Sequence, residues 1–211
     1  MNNITVFTQN SIRIESSIGK IYIDPFRMNV ASKDADYILI THDHFDHFNT
    51  EDIPKVSKKD SILVVPENMK GKAKEASGMV GRIVTVKPGE RTIIEKLELE
   101  AIPSYNIGKP FHPKDAGWVG YILNVDGKRI YIAGDTDATE EAKNVKCDIA
   151  LIPIGGKYTM DAKEAALLIN IIHPETAIPV HFGGVVGTPG DVDTFIKLVD
   201  KEIKVENIKQ Y

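Results

Sequence analysis

Scarcities set the first limits on this chain. Its 211 residues contain one cysteine, Cys147, so neither an intramolecular disulfide nor a thiolate metal cluster can form. There is no run of about 18 apolar residues to span a bilayer, and the opening Met1–Phe7 stretch lacks the basic start and apolar core of a signal peptide. A basic excess is also missing: with a formal net charge of -4, general attraction to nucleic acid or an anionic membrane is not expected. No low-complexity or Pro/Gly/Ser linker divides the sequence. These absences predict one domain over residues 1–211, in a cytoplasmic location, with a small molecule as its partner and no stable nucleic-acid or membrane partner. They leave a homo-oligomer open.

What is present reads mostly as strands. Ser11–Glu15 and Lys20–Asp24 alternate apolar and polar around a turn at Ser17-Ile18-Gly19, which predicts a hairpin. Continuous apolar runs at Tyr37–Ile40, Ile62–Val65 and Ile149–Ile154 have the length of strands buried on both faces. Gly120–Ile132 forms a second hairpin, whose Asp126-Gly127 pair suits a type I′ turn. Helices are fewer. A short one is expected at Glu51–Ser57 and an exposed helix or loop at Met69–Ala76. A clear helix follows at Ala162–Ile172, begun by Asp161 and Glu164 as a capping box and ended by His173-Pro174. Another is expected over Val192–Val199.

The chemistry concentrates in Thr41-His42-Asp43-His44-Phe45-Asp46-His47. Three of the six histidines lie within six residues, directly after an apolar strand. Residues two apart on a strand point the same way, so His42 and His44 present both imidazoles to one side, with Asp46 and His47 on the turn beyond. Imidazole and carboxylate together are ligands for zinc, manganese or iron. Two further strand ends carry matching chemistry: Gly134-Asp135-Thr136, and His181 before Gly183-Gly184.

The Thr-His-Asp-His-Phe-Asp-His stretch resembles the His-x-His-x-Asp-His signature of the metallo-β-lactamase superfamily. Asp135, His181 and the early Asp24 are similar in order to that family's later aspartate, last histidine and first aspartate. The resemblance runs from about Ile12 to Gly184 and implies an α/β fold, the αββα four-layer sandwich. Ile23-Asp24-Pro25, Ile102–Asn106, Ile152–Gly156 and Pro179–Gly183 look most like the ascorbate-6-phosphate lactonase (UlaG-like) group. The resemblance implies two divalent metal ions, zinc first and manganese second. His42 and His44 would hold one; Asp46, His47 and His181 the other; Asp135 would bridge them, and Asp24 would accept an N–H from a ligating imidazole.

One departure stands out. Where the family supplies another histidine for the first metal, this chain has Pro103-Ser104-Tyr105-Asn106, which makes Asn106 a substitute ligand or His112 a replacement from the loop that follows. The implied reaction is hydrolysis of a lactone, ester or phosphate (di)ester, with Asp46 orienting or deprotonating a water and Tyr105, Asn106, Lys114 or Tyr158 near the substrate. The alternatives are a nuclease-type phosphodiesterase, a mononuclear iron oxygenase or redox protein, and a metal-bound protein without catalysis. His173 is expected to be structural.

Overall fold

Alternation along the strands decides the architecture. The computed structural model describes residues 3–208; Met1 and Asn2, which open the Met1–Phe7 stretch, lie outside the described residues. The chain forms β1 (Ile4–Val6), β2 (Ile12–Ser16), β3 (Gly19–Ile23), β4 (Ala35–Leu39), α1 (Ile53–Val56), β5 (Ser57–Pro66), β6 (Arg82–Val86), β7 (Arg91–Ile94) and β8 (Leu97–Pro103). After these come β9 (Val119–Val125), β10 (Lys128–Ile132), α2 (Glu140–Lys143), β11 (Ile149–Pro153), α3 (Ala162–Ile172), β12 (Thr176–Val180), α4 (Asp191–Leu198) and β13 (Lys204–Val205). One sheet is ordered β1-β2-β3-β4-β5-β6 and the other β13-β12-β11-β10-β9-β8-β7. Each sheet is antiparallel at one end and parallel at the other.

The two sheets share a core. Ile21 and Ile23 of β3, Leu39 of β4, Val64 of β5, Ile130 and Ile132 of β10 and Leu151 of β11 all belong to it. Their neighbours in sequence face outward. Tyr22, Ile38, Leu63 and Val65 pack beneath α1 and the 3-10 turns at Glu67–Lys70 and Lys72–Ala76. Tyr131, Ala150 and Ile152 pack beneath α2, α3 and α4. Strands buried on both faces need helices on both outer faces, and the result is the expected αββα sandwich. Each fully buried Ile or Leu contributes about 1.5–3 kcal/mol, so the faces are strongly specified.

The local expectations agree closely with the structure. Asp126 and Gly127 take φ of 51° and 74°, as a type I′ turn requires. Asp161 accepts N–H bonds from Lys163 and Glu164 while Glu164 reaches back, forming the capping box. His173 ends α3 in the left-handed conformation. The Met69–Ala76 stretch differs from the exposed reading. Lys70 and Lys74 face water, but Met69, Ala73 and Ala76 are buried, because this segment covers the outer face of the first sheet. Among the described residues, no helix is long and apolar enough to cross a membrane.

Candidate metal centre

Four strand ends converge at one edge of the sandwich. After β4 the chain turns tightly, with the Phe48 N–H donating to the His44 carbonyl at 2.8 Å. This turn gathers His42, His44, Asp46 and His47. After β10, Gly134 has φ 65°, and a Cβ there would come within 3.2 Å of Thr41; the close approach brings Asp135 beside the turn. After β12, His181 adopts φ 55°, and its N–H donates to the Gln9 carbonyl at 2.9 Å. After β8, the Ser104 hydroxyl donates to the carbonyls of Ala133 and Asp135, at 3.1 and 3.0 Å, joining that strand end to the Asp135 loop.

Asp135 occupies the middle. Its Oδ1 lies 3.2 Å from His181 Nε2 and 3.4 Å from His47 Nε2. Its Oδ2 lies 3.6 Å from His112 Nε2 and 4.0 Å from His42 Nε2. Asp46 Oδ2 is 3.6 Å from His181 Nε2 and 3.7 Å from His47 Nε2. Three groups have ligand atoms within 4.8 Å of one another: His42–His44–His112, His42–His47–Asp135 and Asp46–His47–His181.

The donor set fits divalent cations. His47 Nε2 and Asp135 Oδ1 are buried side by side, yet neither makes a hydrogen bond, an arrangement that is costly unless something else satisfies both atoms. His42 Nε2 and His112 Nε2 are 3.2 Å apart, about the separation of two nitrogens around one tetrahedral ion.

The electrostatics without a cation point the same way. Burial disfavours charge on His47 and His181, but Asp135 overcomes it, with help from Asp24 at His47 and Asp46 at His181. His47 is held well above the usual imidazole range and His181 is raised to about 9. In return, His181 and His47 hold the Asp135 carboxyl well below its usual range against the opposing effect of burial. Burial pushes His42 well down and His112 down to about 4. The stabilisation from charged His181 is therefore complete below its reference value of 6.5 and is lost as pH rises through about 9. A cation entering beside it must displace those protons.

Support comes from behind the cluster. Asp24, fully buried and left-handed at φ 44°, accepts the Thr41 N–H at 2.8 Å and the Thr41 hydroxyl and Asn10 amide at 2.7 Å each. It also lies 2.7 Å from His47 Nδ1, which sets that ring with Nε2 toward Asp135. Gln9 Nε2 lies 3.3 Å from both ring nitrogens of His181. Trp118, the single tryptophan, places its ring 5.2, 4.9 and 5.1 Å from those of His42, His44 and His112. The sequence reading gave no role to Thr41, Gln9, Asn10 or Trp118. The polar pair Gln9-Asn10 immediately before an apolar strand was the available signal.

At the missing-histidine position the structure brings His112, from the loop, within ligand distance of His42 and His44, while the Asn106 Oδ1 is buried without a hydrogen bond among the described residues. His112 joins His42 and His44, and Asn106 braces the loop through its nitrogens. Its N–H donates to the His112 carbonyl at 2.7 Å and its side-chain amide donates to the Tyr158 carbonyl at 2.9 Å. Tyr105 turns its hydroxyl to Glu141 at 2.7 Å and accepts from Lys114 at 3.2 Å. The Tyr158 ring packs edge-on against Phe111, next to His112. His173 lies apart, with Glu202 at 3.6 Å.

Asp137 is a further residue that the sequence reading did not single out. It accepts from the Ile107 N–H at 2.8 Å and from Lys109 at 2.6 Å, clamping the start of the loop that delivers His112. Asp137→Ala is expected to weaken cation binding at His42–His44–His112 by about tenfold, the scale of a lost supporting contact. Quenching of Trp118 fluorescence by added cobalt would read this directly. An unchanged titration would show that the clamp does not place His112.

Comparison with known proteins places this geometry. A family model described as a beta-lactamase superfamily domain matches residues 3–181. A protein of Pyrococcus furiosus named as a UPF0173 metal-dependent hydrolase is 30% identical, over 99% of this chain and 97% of that one. A namesake in Aeropyrum pernix is 29% identical, over 96% and 91%. The solved structure of a metal-dependent hydrolase candidate from Parabacteroides distasonis superposes with a TM-score of 0.82 at 31% identity, covering 98% of this chain and 93% of that one.

Proposed function

Because the chain belongs to the beta-lactamase superfamily and is a metal-dependent hydrolase, as its relatives are named, we propose that it cleaves a small-molecule lactone, ester or phosphate (di)ester at a two-cation centre. The observation carrying this reading is the shared donor set, in which one buried carboxylate, Asp135, faces two histidine groups. His42, His44 and His112 would hold one cation, Asp46, His47 and His181 the other, with Asp135 between them. Zinc is the expected metal and manganese the alternative. Such cations would acidify a water and polarise the carbonyl or phosphoryl oxygen of a substrate.

The chain's own residues do the remaining work. Asp46, whose Oδ2 faces His47 and His181, is the carboxylate beside Asp135 that would orient a water and take its proton. Asp24 fixes the His47 ring. Tyr105 enters this reading as a brace of the His112 loop, its hydroxyl engaged with Glu141. Asn106 braces the loop through its amide nitrogen and keeps a buried, unpartnered Oδ1 that would be free to serve as an additional oxygen ligand or substrate contact. The UlaG-like resemblance narrows the expected substrate to a lactone or phosphate ester. The net charge of -4 argues against a nuclease role.

A panel tests it: an aryl ester, a γ-lactone and bis(p-nitrophenyl) phosphate, offered to protein loaded with zinc or manganese. Turnover of at least one, abolished by chelator and restored by metal, is expected. No turnover of any by protein shown to carry metal would sink the substrate class, and oxygen consumption with iron would move the chemistry to oxidation.

A further inference from the structure

A cavity of about 730 Å³ opens beside the metal centre. Thr8 and Gly184 line it; Thr8 directly precedes Gln9 in the chain, and a Cβ on Gly184 would strike the Gln9 side chain. While its Oε1 accepts the Val185 N–H at 2.9 Å, the Gln9 Nε2 lies 3.3 Å from both ring nitrogens of His181. One side chain therefore separates the cavity from the histidine that ends β12.

The lining has a definite chemistry. Phe7, Met28 and Val30 supply apolar wall, Arg13 and Arg27 supply charge, and among the described residues no aspartate or glutamate lines it. That is unusual in a chain with more acids than bases. Arg13 uses one terminal nitrogen on Glu15 at 3.1 Å and Thr5 at 3.3 Å, while its Nε is buried without a partner. An unmatched buried guanidinium N–H is costly unless an acceptor arrives. Arg27 is held from behind. Its backbone is left-handed at φ 51°, and Asp52 accepts the N–H of Arg27 at 2.7 Å and of Met28 at 3.0 Å. Its guanidinium lies over the Phe26 ring at 5.1 Å. Among the described residues it has no ion pair, and Asp52 is occupied with the backbone and with Lys55 at 2.7 Å.

We infer that this cavity binds a small organic anion, a carboxylate or phosphate on an apolar body, with Arg13 and Arg27 as the counter-charges. The planar guanidinium fork matches both oxyanions, and the volume falls in the range of small-molecule pockets. Binding here is independent of the cations; that the anion is part of the substrate rests on the hydrolase reading above. The scissile bond would then lie on the His181 side of Gln9, with the anionic group acting as a remote handle.

Titration calorimetry with phenyl phosphate, benzoate and inorganic phosphate tests this on metal-loaded protein. The variants are Arg27→Gln, which changes an exposed side chain, Arg13→Gln, and His44→Ala, which depletes the metal site without touching the cavity. At least one aryl anion is expected to bind wild type and His44→Ala alike. Its affinity should fall about tenfold or more in Arg27→Gln and in Arg13→Gln. Inorganic phosphate, lacking the apolar body, should bind more weakly than phenyl phosphate. The tighter of phenyl phosphate and benzoate identifies the oxyanion. Binding that is lost in His44→Ala but unchanged in Arg27→Gln would assign the anion to the metals and overturn the proposal. So would no binding of any probe up to about 10 mM, beyond the weak-affinity limit of interest. Metal analysis of the same samples separates the two failures: Arg-dependent anion binding by protein that takes up no metal would keep the cavity and remove the hydrolase centre.

Discussion

Asp135→Ala is expected to lower hydrolysis by at least about two orders of magnitude, beyond the loss typical of a residue that only supports a ligand from behind. Four imidazole nitrogens lie 3.2 to 4.0 Å from its carboxylate oxygens. Without it, His47 and His181 would lose the carboxylate that holds their charge, and neither histidine group would keep its shared anionic partner. The loss should appear in metal content as well as in kcat. Asp135→Asn keeps the volume but removes the charge, so it should restore folding without restoring metal. A variant with full metal content and full activity would remove Asp135 from the centre.

The second large effect is expected at Asp24, which needs touch neither metal nor substrate. Asp24→Ala removes the acceptor for the Thr41 N–H, the Thr41 hydroxyl and the Asn10 amide, and the partner of His47 Nδ1. All of these groups are buried. Breaking such a network costs about 3–5 kcal/mol, read as a shift of the urea midpoint at constant slope. Metal affinity should fall by roughly 10–100-fold, because the His47 ring loses its orientation. Asp24→Asn should recover only part of either, since its NH2 would face the Asn10 amide or the Thr41 hydroxyl where an acceptor is needed. Wild-type stability in Asp24→Ala would show that water replaces the carboxylate and that the ring needs no such anchor.

Much of this was legible because its signals are local. Tyr37–Ile40 and Ile62–Val65 are continuous apolar runs because helices cover both faces of their sheet, and a run of that kind is visible in any window. The His42–His47 cluster was visible for a similar reason: one strand end and one tight turn carry most of the centre. His112 was only an alternative, because its place depends on a loop held by Asn106, Asp137 and Lys109 through bonds spanning about thirty residues. The distance of Asn106 from Pro103 marks it as a substitute ligand, but spacing alone does not reveal that its backbone N–H is also tied to the His112 carbonyl. Gln9 and Asn10 reach the site from the turn between β1 and β2, and the polar pair before a strand is too weak a local signal to announce that distant role. The burial of Met69, Ala73 and Ala76 was obscured by the lysines among them, since a 3-10 turn hides its short apolar face.

The most direct test of the two-cation account is metal stoichiometry by mass spectrometry on protein purified without chelator, wild type beside Asp46→Ala. Asp46 belongs to the Asp46–His47–His181 group alone, so the account predicts about two equivalents of zinc or manganese in the wild type, falling toward one in the variant, with the His42–His44–His112 ion retained. One equivalent in the wild type, unchanged by Asp46→Ala, would contradict it.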